Sequence, residues 1–200
     1  MKKILLATSN NAKIKYFRAI FKDFPLEIIE LKTKGKLEIE EDLFDIKANA
    51  IKKATTYALK HKLPAIGDDT GFFIPALDNM PGVAVRRWGG ELPDTISDKD
   101  WLSFFKEKIN PLKGKELICI RKKVFCIALP NGEYKLINNE LVGTIVKDVS
   151  KPLYEKGGPL GAHFYVKKYN KLLSEIIGEG LREPAFQNQL EKTLKAVKLI

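Results

Sequence analysis

The stretch Leu63 to Gly82, LPAIGDDTGFFIPALDNMPG, constrains this chain more than any other. It opens on a short apolar run, Leu63, Ala65 and Ile66, which reads as a buried strand. Asp68 and Asp69 stand at that strand's end, with Thr70 and Gly71 directly after. Neighbouring residues on a strand point to opposite faces, so the two acids are expected to serve different purposes. In an open α/β sheet, ligands bind at the carboxyl ends of the strands. A carboxylate pair there, beside a glycine that admits close backbone approach, suits a divalent metal carrying a phosphorylated substrate. The same residues would also serve a polar turn in which one Asp caps backbone amides. The rest of the chain has to choose between the two.

The flanking sequence alternates strands and helices. Lys3 to Ala7 reads as a strand, Thr8-Ser9-Asn10-Asn11 as a turn ready to cap a helix, and Ala12 to Lys22 as that helix, with Ile14, Phe17 and Phe21 at helical spacing. A second strand at Leu26 to Leu31 completes a βαβ pattern. A helix from about Leu43 to His61 carries Leu43, Ile46, Ala50, Ala54 and Ala58 on one stripe, small enough for close packing on a sheet. Ser97 and Asp100 form a capping pair ahead of Trp101, Phe104, Phe105 and Ile109. Residues 117 to 149 read as antiparallel strands around a turn at Pro130-Asn131-Gly132. Pro152 to Gly161 is expected as loop and His163 to Val166 as a short strand. Helices are expected from Lys171 to Ile177 and from Pro184 to Leu199. Residues alone thus give alternating elements and a β-rich middle.

A chain of 200 residues makes one domain, or one domain with a small lobe, and can bury a substantial core. No apolar run approaches the roughly 20 residues of a membrane span, and the apolar stretch Ile4 to Ala7 is too short for a signal peptide. Cys119 and Cys126, the only cysteines, are expected as buried free thiols in a reducing, cytoplasmic setting. The net charge of +10 fits an anionic ligand. The lysines are nevertheless scattered rather than banded with aromatics, and no RNA or DNA motif accompanies them, which counts against nucleic acid as the partner.

Two further strings bear on chemistry. TSNNAK places small polar side chains and helix-start amides where a phosphate could sit, with Lys13 in the first turn. It lacks the glycines of a P-loop, and an ordinary capped helix would look the same. The acidic run Glu38 to Asp42 precedes the second helix, where acids favour the helix dipole and where one could also ligate a metal. On that helix Asn49 and Lys53 are four apart and share a face; a solvated lysine is the plain alternative.

Together TSNNAK, EEDLFDIKANAIKKA and PAIGDDTGFFIPALDNMPGV resemble the noncanonical purine nucleoside triphosphate pyrophosphatases, the inosine/xanthosine triphosphatase family. That family carries a T-x-N-x-x-K opening, an E-x-x-x-x-F-x-x-N-A-x-x-K-A helix and an A-D-D-S-G-L strand, in this order. The resemblance implies an α/β fold with a mixed twisted sheet, flanking helices and two lobes around a cleft, the whole chain acting as one such domain. It implies Mg²⁺-dependent attack of water on the α-phosphorus of a nucleoside triphosphate, with release of nucleoside monophosphate and pyrophosphate, by a homodimer. Residue by residue, Thr8, Ser9, Asn10, Asn11 and Lys13 would hold the triphosphate and Lys53 would reach it. Glu41 and Asp69 would bind metal, Asp69 would also act as general base for the attacking water, and Thr70 would contact substrate.

The second half departs from the family. Where G-F-G-Y-D-P-x-F closes the base pocket, this chain reads GGPLGAHFYV, and where the family has S-H-R it reads EPAF, with Ala185-Phe186 in place of His-Arg. His163, Arg182, Gln187 and Asn188 are the remaining polar candidates for substrate contact, although a lone His in a strand is more often structural. A base preference different from, or broader than, inosine and xanthosine is therefore expected. The alternative of another class is a nucleotide-binding sensor or scaffold that has lost turnover.

Overall fold

The computed structural model describes residues 1–31, 39, 44–112, 114–147, 157–179 and 183–200. Strand β1 (Lys2–Leu6), helix α1 (Asn11–Phe21) and strand β2 (Leu26–Ile29) realise the opening βαβ pattern. β1 lies parallel to β2, with Lys2 opposite Leu26 and Leu5 opposite Ile29. Helix α2 (Ile46–His61) begins where Asp45 caps it, the carboxylate accepting from the amides of Lys47 at 2.7 Å and Ala48 at 3.3 Å. Leu43, the expected first residue, lies outside the described residues. The stripe Ile46, Ala50, Ala54 and Ala58 is buried, as its spacing predicts.

Strand β3 (Ala65–Ile74) is longer than expected and does not end at the acids. Its parallel pairing with β1 covers only Leu5 with Ala65 and Leu6 with Ile66. Beyond Gly71 it pairs antiparallel with β4 (Met80–Gly82), Phe72 opposite Gly82. The apolar run Phe72 to Ile74 finds this second partner and so stays extended. Asp68 and Asp69 consequently come after the parallel register with β1 and stand within the strand rather than at a free strand end.

Helix α3 (Asp98–Ile109) starts at Ser97, whose Oγ accepts from the Asp100 amide at 3.0 Å. Strands β5 (Ile118–Ala128) and β6 (Tyr134–Ile145) flank the expected turn, closed by the Gly132 amide on the Leu129 carbonyl at 3.0 Å. Strand β7 (Phe164–Val166) precedes β8 (Lys171–Leu172), helix α4 (Leu173–Gly178) and helix α5 (Pro184–Ala196). Lys171 and Leu172 were expected in a helix, but they pair with Val166 and Tyr165 and delay its start. The strand order is β2-β1-β3-β5-β6-β7-β8, with β4 on β3, and parallel and antiparallel pairs make it a mixed sheet.

The chain divides into two compact units, one of Met1–Asp69, Lys123–Asn139 and Arg182–Ile200, the other of Thr70–Lys122 and Glu140–Leu181. The first is built on Ile4, Leu6, Phe17, Ile66, Phe125 and Leu190. The second is built on Phe72, Trp88, Trp101, Phe105 and Phe164, with the two indoles edge-on at 5.9 Å between centroids. Cys119 and Cys126 are free and buried, and burial pushes both thiols up to about 12. No helix among the described residues is long and apolar enough to cross a membrane.

Candidate active site

The start of α1 forms as the TSNN string predicts. The Asn10 carboxamide accepts from the Lys13 amide at 3.3 Å, and the Thr8 hydroxyl accepts from the Asn10 amide at 3.2 Å. Ser9 and Asn11 are exposed. This first turn presents backbone N–H groups at the positive end of the helix, the arrangement that favours an anion.

The two adjacent carboxylates of β3 engage different partners, as strand alternation requires. Asp69 is 7% exposed; one of its oxygens accepts from the Asn49 carboxamide at 3.0 Å and the other from the Lys53 ammonium at 3.0 Å. Asn49 and Lys53 stand one turn apart on α2, so a single helix face supplies both. Lys53 is buried, not solvated. Gly67 makes this approach close: a Cβ there would lie 2.9 Å from the Ala54 amide nitrogen and 3.0 Å from the Lys53 Cβ.

Asp68 is fully enclosed. Its Oδ2 lies 3.2 Å from the Lys13 ammonium and 3.2 Å from that of Lys123, and its carbonyl accepts from Lys13 at 3.4 Å. Burial alone would raise this carboxyl's affinity for its proton. The charges of Lys123, Lys13 and Lys53 outweigh burial and hold it well below the usual carboxylate range. The site thus gathers two carboxylates and three lysines from α1, α2, β3 and β5 of one unit.

Asn49 and Lys123 are the partners that motif reading did not assign. A signal for Lys123 exists: it alternates with Phe125 and Ile127 along β5, and both are core residues of the same unit. Thr70 follows Asp69 on β3 and is partly buried. His163 is fully buried in the second unit, its Nδ1 2.8 Å from the Val146 carbonyl and its ring edge-on to Phe105. Leu160 and Ala162 are buried in that unit and Phe186 in the first. Glu41 and Arg182 lie outside the described residues.

Fold and side chains define an α/β protein whose mixed sheet carries a lysine-flanked carboxylate pair beside a helix start, chemistry suited to a polyanionic ligand. Residues 4–179 match the Ham1 family, and the chain belongs to that family. It is 34% identical to the dITP/XTP pyrophosphatase of Desulfotalea psychrophila, over 96% of this chain and 83% of that protein. It is 32% identical to the dITP/XTP pyrophosphatase of Wigglesworthia glossinidia brevipalpis, over 88% of this chain and 86% of that one. A HAM1 protein from Coxiella burnetii superposes with a TM-score of 0.72 over the whole of both chains at 22% identity, a likeness of fold. The family resemblance carried by the three motifs, and the mixed α/β sheet it implied, both hold.

Proposed function

We propose that this chain is a nucleoside triphosphate pyrophosphohydrolase that converts noncanonical purine nucleoside triphosphates to nucleoside monophosphates and pyrophosphate. The observation that carries the reading is Asp69 held between Lys53 and Asn49, one residue from an Asp68 that touches Lys13 at the start of α1. The relatives named dITP/XTP pyrophosphatase support the reaction. Thr8 to Lys13 hold the triphosphate, Lys13 and Lys53 oppose its charge, and Thr70 touches the substrate. A water oriented by Asp69 attacks the α-phosphorus; an O–P bond forms as the bond to the pyrophosphate oxygen breaks, and the water gives up its proton to solvent. A hydrogen-bonded, ion-paired carboxylate orients water better than it deprotonates it. The work of the site is therefore positioning and charge neutralisation.

Pyrophosphatases of this family generally depend on a divalent metal, and Mg²⁺ is the ion proposed here. Among the described residues no three His, Cys, Asp or Glu side chains form a metal cluster. Mg²⁺ commonly takes one or two carboxylates and completes its shell with water and substrate phosphates, and a carboxylate oxygen that accepts one hydrogen bond keeps further lone pairs. Asp69 fits that requirement, and Glu41 is the second carboxylate that the family resemblance implies. Bound there, the ion would supply Lewis-acid neutralisation of phosphate charge.

The proposal extends to one functional domain of two lobes, to a homodimer and, on the two buried thiols, to a reducing cytoplasmic setting. His163 and Arg182 remain its candidates for substrate contact. Apolar Leu160, Ala162 and Phe186, which stand in the sequence at the family's base-pocket motifs, support an altered base preference. The test is pyrophosphate release from a panel of nucleoside triphosphates with Mg²⁺. Turnover of at least one purine triphosphate is expected; no turnover of any would overturn the reading in favour of a binding protein.

A further inference from the structure

We propose that Lys123 is a positioning residue for the triphosphate site: through the carboxylate it shares with Lys13, it sets how firmly Asp68 holds Lys13 and hence how strongly Lys13 acts on phosphate. The inference rests on the proposed pyrophosphohydrolase reading and adds a residue to it.

Lys123 is 4% exposed, in the middle of β5. Its ammonium stands 4.0 Å from the centroid of the Tyr16 ring, 4.6 Å from that of Phe125 and 5.8 Å from that of Phe17. A buried ammonium needs an anion and ring faces in place of water, and this one has both. The rings wall it in, so it cannot withdraw from Asp68 without opening the core of the unit.

Lys13 reaches the same oxygen from the other end of its accessibility range. Both ammonium groups lie 3.2 Å from Asp68 Oδ2, with the Lys13 side chain 28% exposed and that of Lys123 5%. Like charges sharing one oxygen repel, and each weakens the carboxylate's hold on the other. Because Lys123 is walled in, the repulsion falls on Lys13, the one of the two with access to solvent. A carboxylate neutralised from inside the core leaves Lys13 positioned by Asp68 yet not captured by it. Without Lys123, Asp68 holds Lys13 more tightly, and an incoming phosphate has to compete with that hold.

The experiment compares wild type, Lys123→Met, Lys13→Met, the Lys13→Met/Lys123→Met double variant and an Asp68→Asn/Lys123→Met double variant. Calorimetric binding of inorganic tripolyphosphate without metal is measured alongside steady-state kinetics with inosine triphosphate. Methionine keeps an unbranched apolar chain among the rings and removes the ammonium group. Lys123→Met should weaken tripolyphosphate binding about tenfold, the scale of part of one charge-assisted contact. It should raise KM similarly while kcat changes less than about twofold, since the proposed effect acts on phosphate binding. Asp68→Asn/Lys123→Met, which removes both buried charges and so remains foldable if the single variant is not, should bind tripolyphosphate more tightly than Lys123→Met. In the Lys13→Met background the Lys123 substitution should have no further effect on binding. Wild-type affinity in Lys123→Met, no recovery in Asp68→Asn/Lys123→Met, or a loss that persists without Lys13 would each overturn the proposal. Wild-type protein that turns over nucleotide while any of these holds would sink only this inference. Wild-type protein that neither binds tripolyphosphate nor turns over nucleotide would sink the proposed function with it.

Discussion

Asp68→Asn is expected to be a stability variant first and an activity variant second. The substitution keeps the shape of the side chain and removes its charge from between two ammonium groups, each 3.2 Å from Oδ2. At an effective dielectric of about 20, one such contact is worth roughly 5 kcal/mol before desolvation is counted. The Lys13 contribution is discounted heavily because that side chain is partly solvated. Lys123 is enclosed and loses this carboxylate from its surroundings, and breaking a buried pair by removing one member costs about 3–5 kcal/mol. With a urea slope near 2 kcal/mol/M, that loss moves the unfolding midpoint down by about 2 M. Far-UV circular dichroism is the suitable probe, because both tryptophans lie in the other unit. A midpoint corresponding to less than about 0.5 kcal/mol, the range of ordinary surface substitutions, would refute the electrostatic argument.

Asp69→Asn should cost on the order of 10²-fold or more in pyrophosphate release, measured on folded protein; near-normal turnover at saturating Mg²⁺ would remove Asp69 from its role. Lys13→Ala and Lys53→Ala should weaken triphosphate binding more than monophosphate binding, by about 1.5–3 kcal/mol each, measured on folded protein. Equal losses for the two ligands would place these lysines elsewhere. The ratio of kcat/KM for inosine over adenosine triphosphate should lie near one, because Leu160-Gly161-Ala162 and Ala185-Phe186 stand in the sequence where the family carries its base-pocket motifs. A ratio of about 10²-fold or more would mean that other groups rebuild the selective pocket. Cys119 and Cys126, with burial pushing both thiols up to about 12, should resist alkylation at pH 8 until the protein is unfolded. A raised folded pKa also means that their contribution to stability is complete below the ordinary thiol range and is lost as pH rises toward about 12, which alkaline urea titrations would register.

Periodicity and caps are local properties, and they were readable. The alanine stripe of α2, the Ser97 cap of α3, the Gly132 turn and the parallel opening of β1 and β2 all follow from residues a few positions apart. Boundaries failed where a distant partner intervened. Phe72 to Ile74 remain strand because β4 pairs with them, and Lys171-Leu172 are strand because β7 does. The site divides in the same way. The adjacency of Asp68 and Asp69 and the one-turn spacing of Asn49 and Lys53 are local, so opposite faces and a shared helix face could be derived. What could not be derived is which lysine meets which acid. Lys53 could equally have been solvated, and Lys123 is one lysine among many in a chain of charge +10. Those pairings depend on the Cβ-free approach of α2 over Gly67 and on β5 carrying Lys123 into the aromatic wall of α1. Helix periods and caps are written within a few residues, whereas the meeting of charges separated by 16 and 55 positions exists only once the sheet has closed around them.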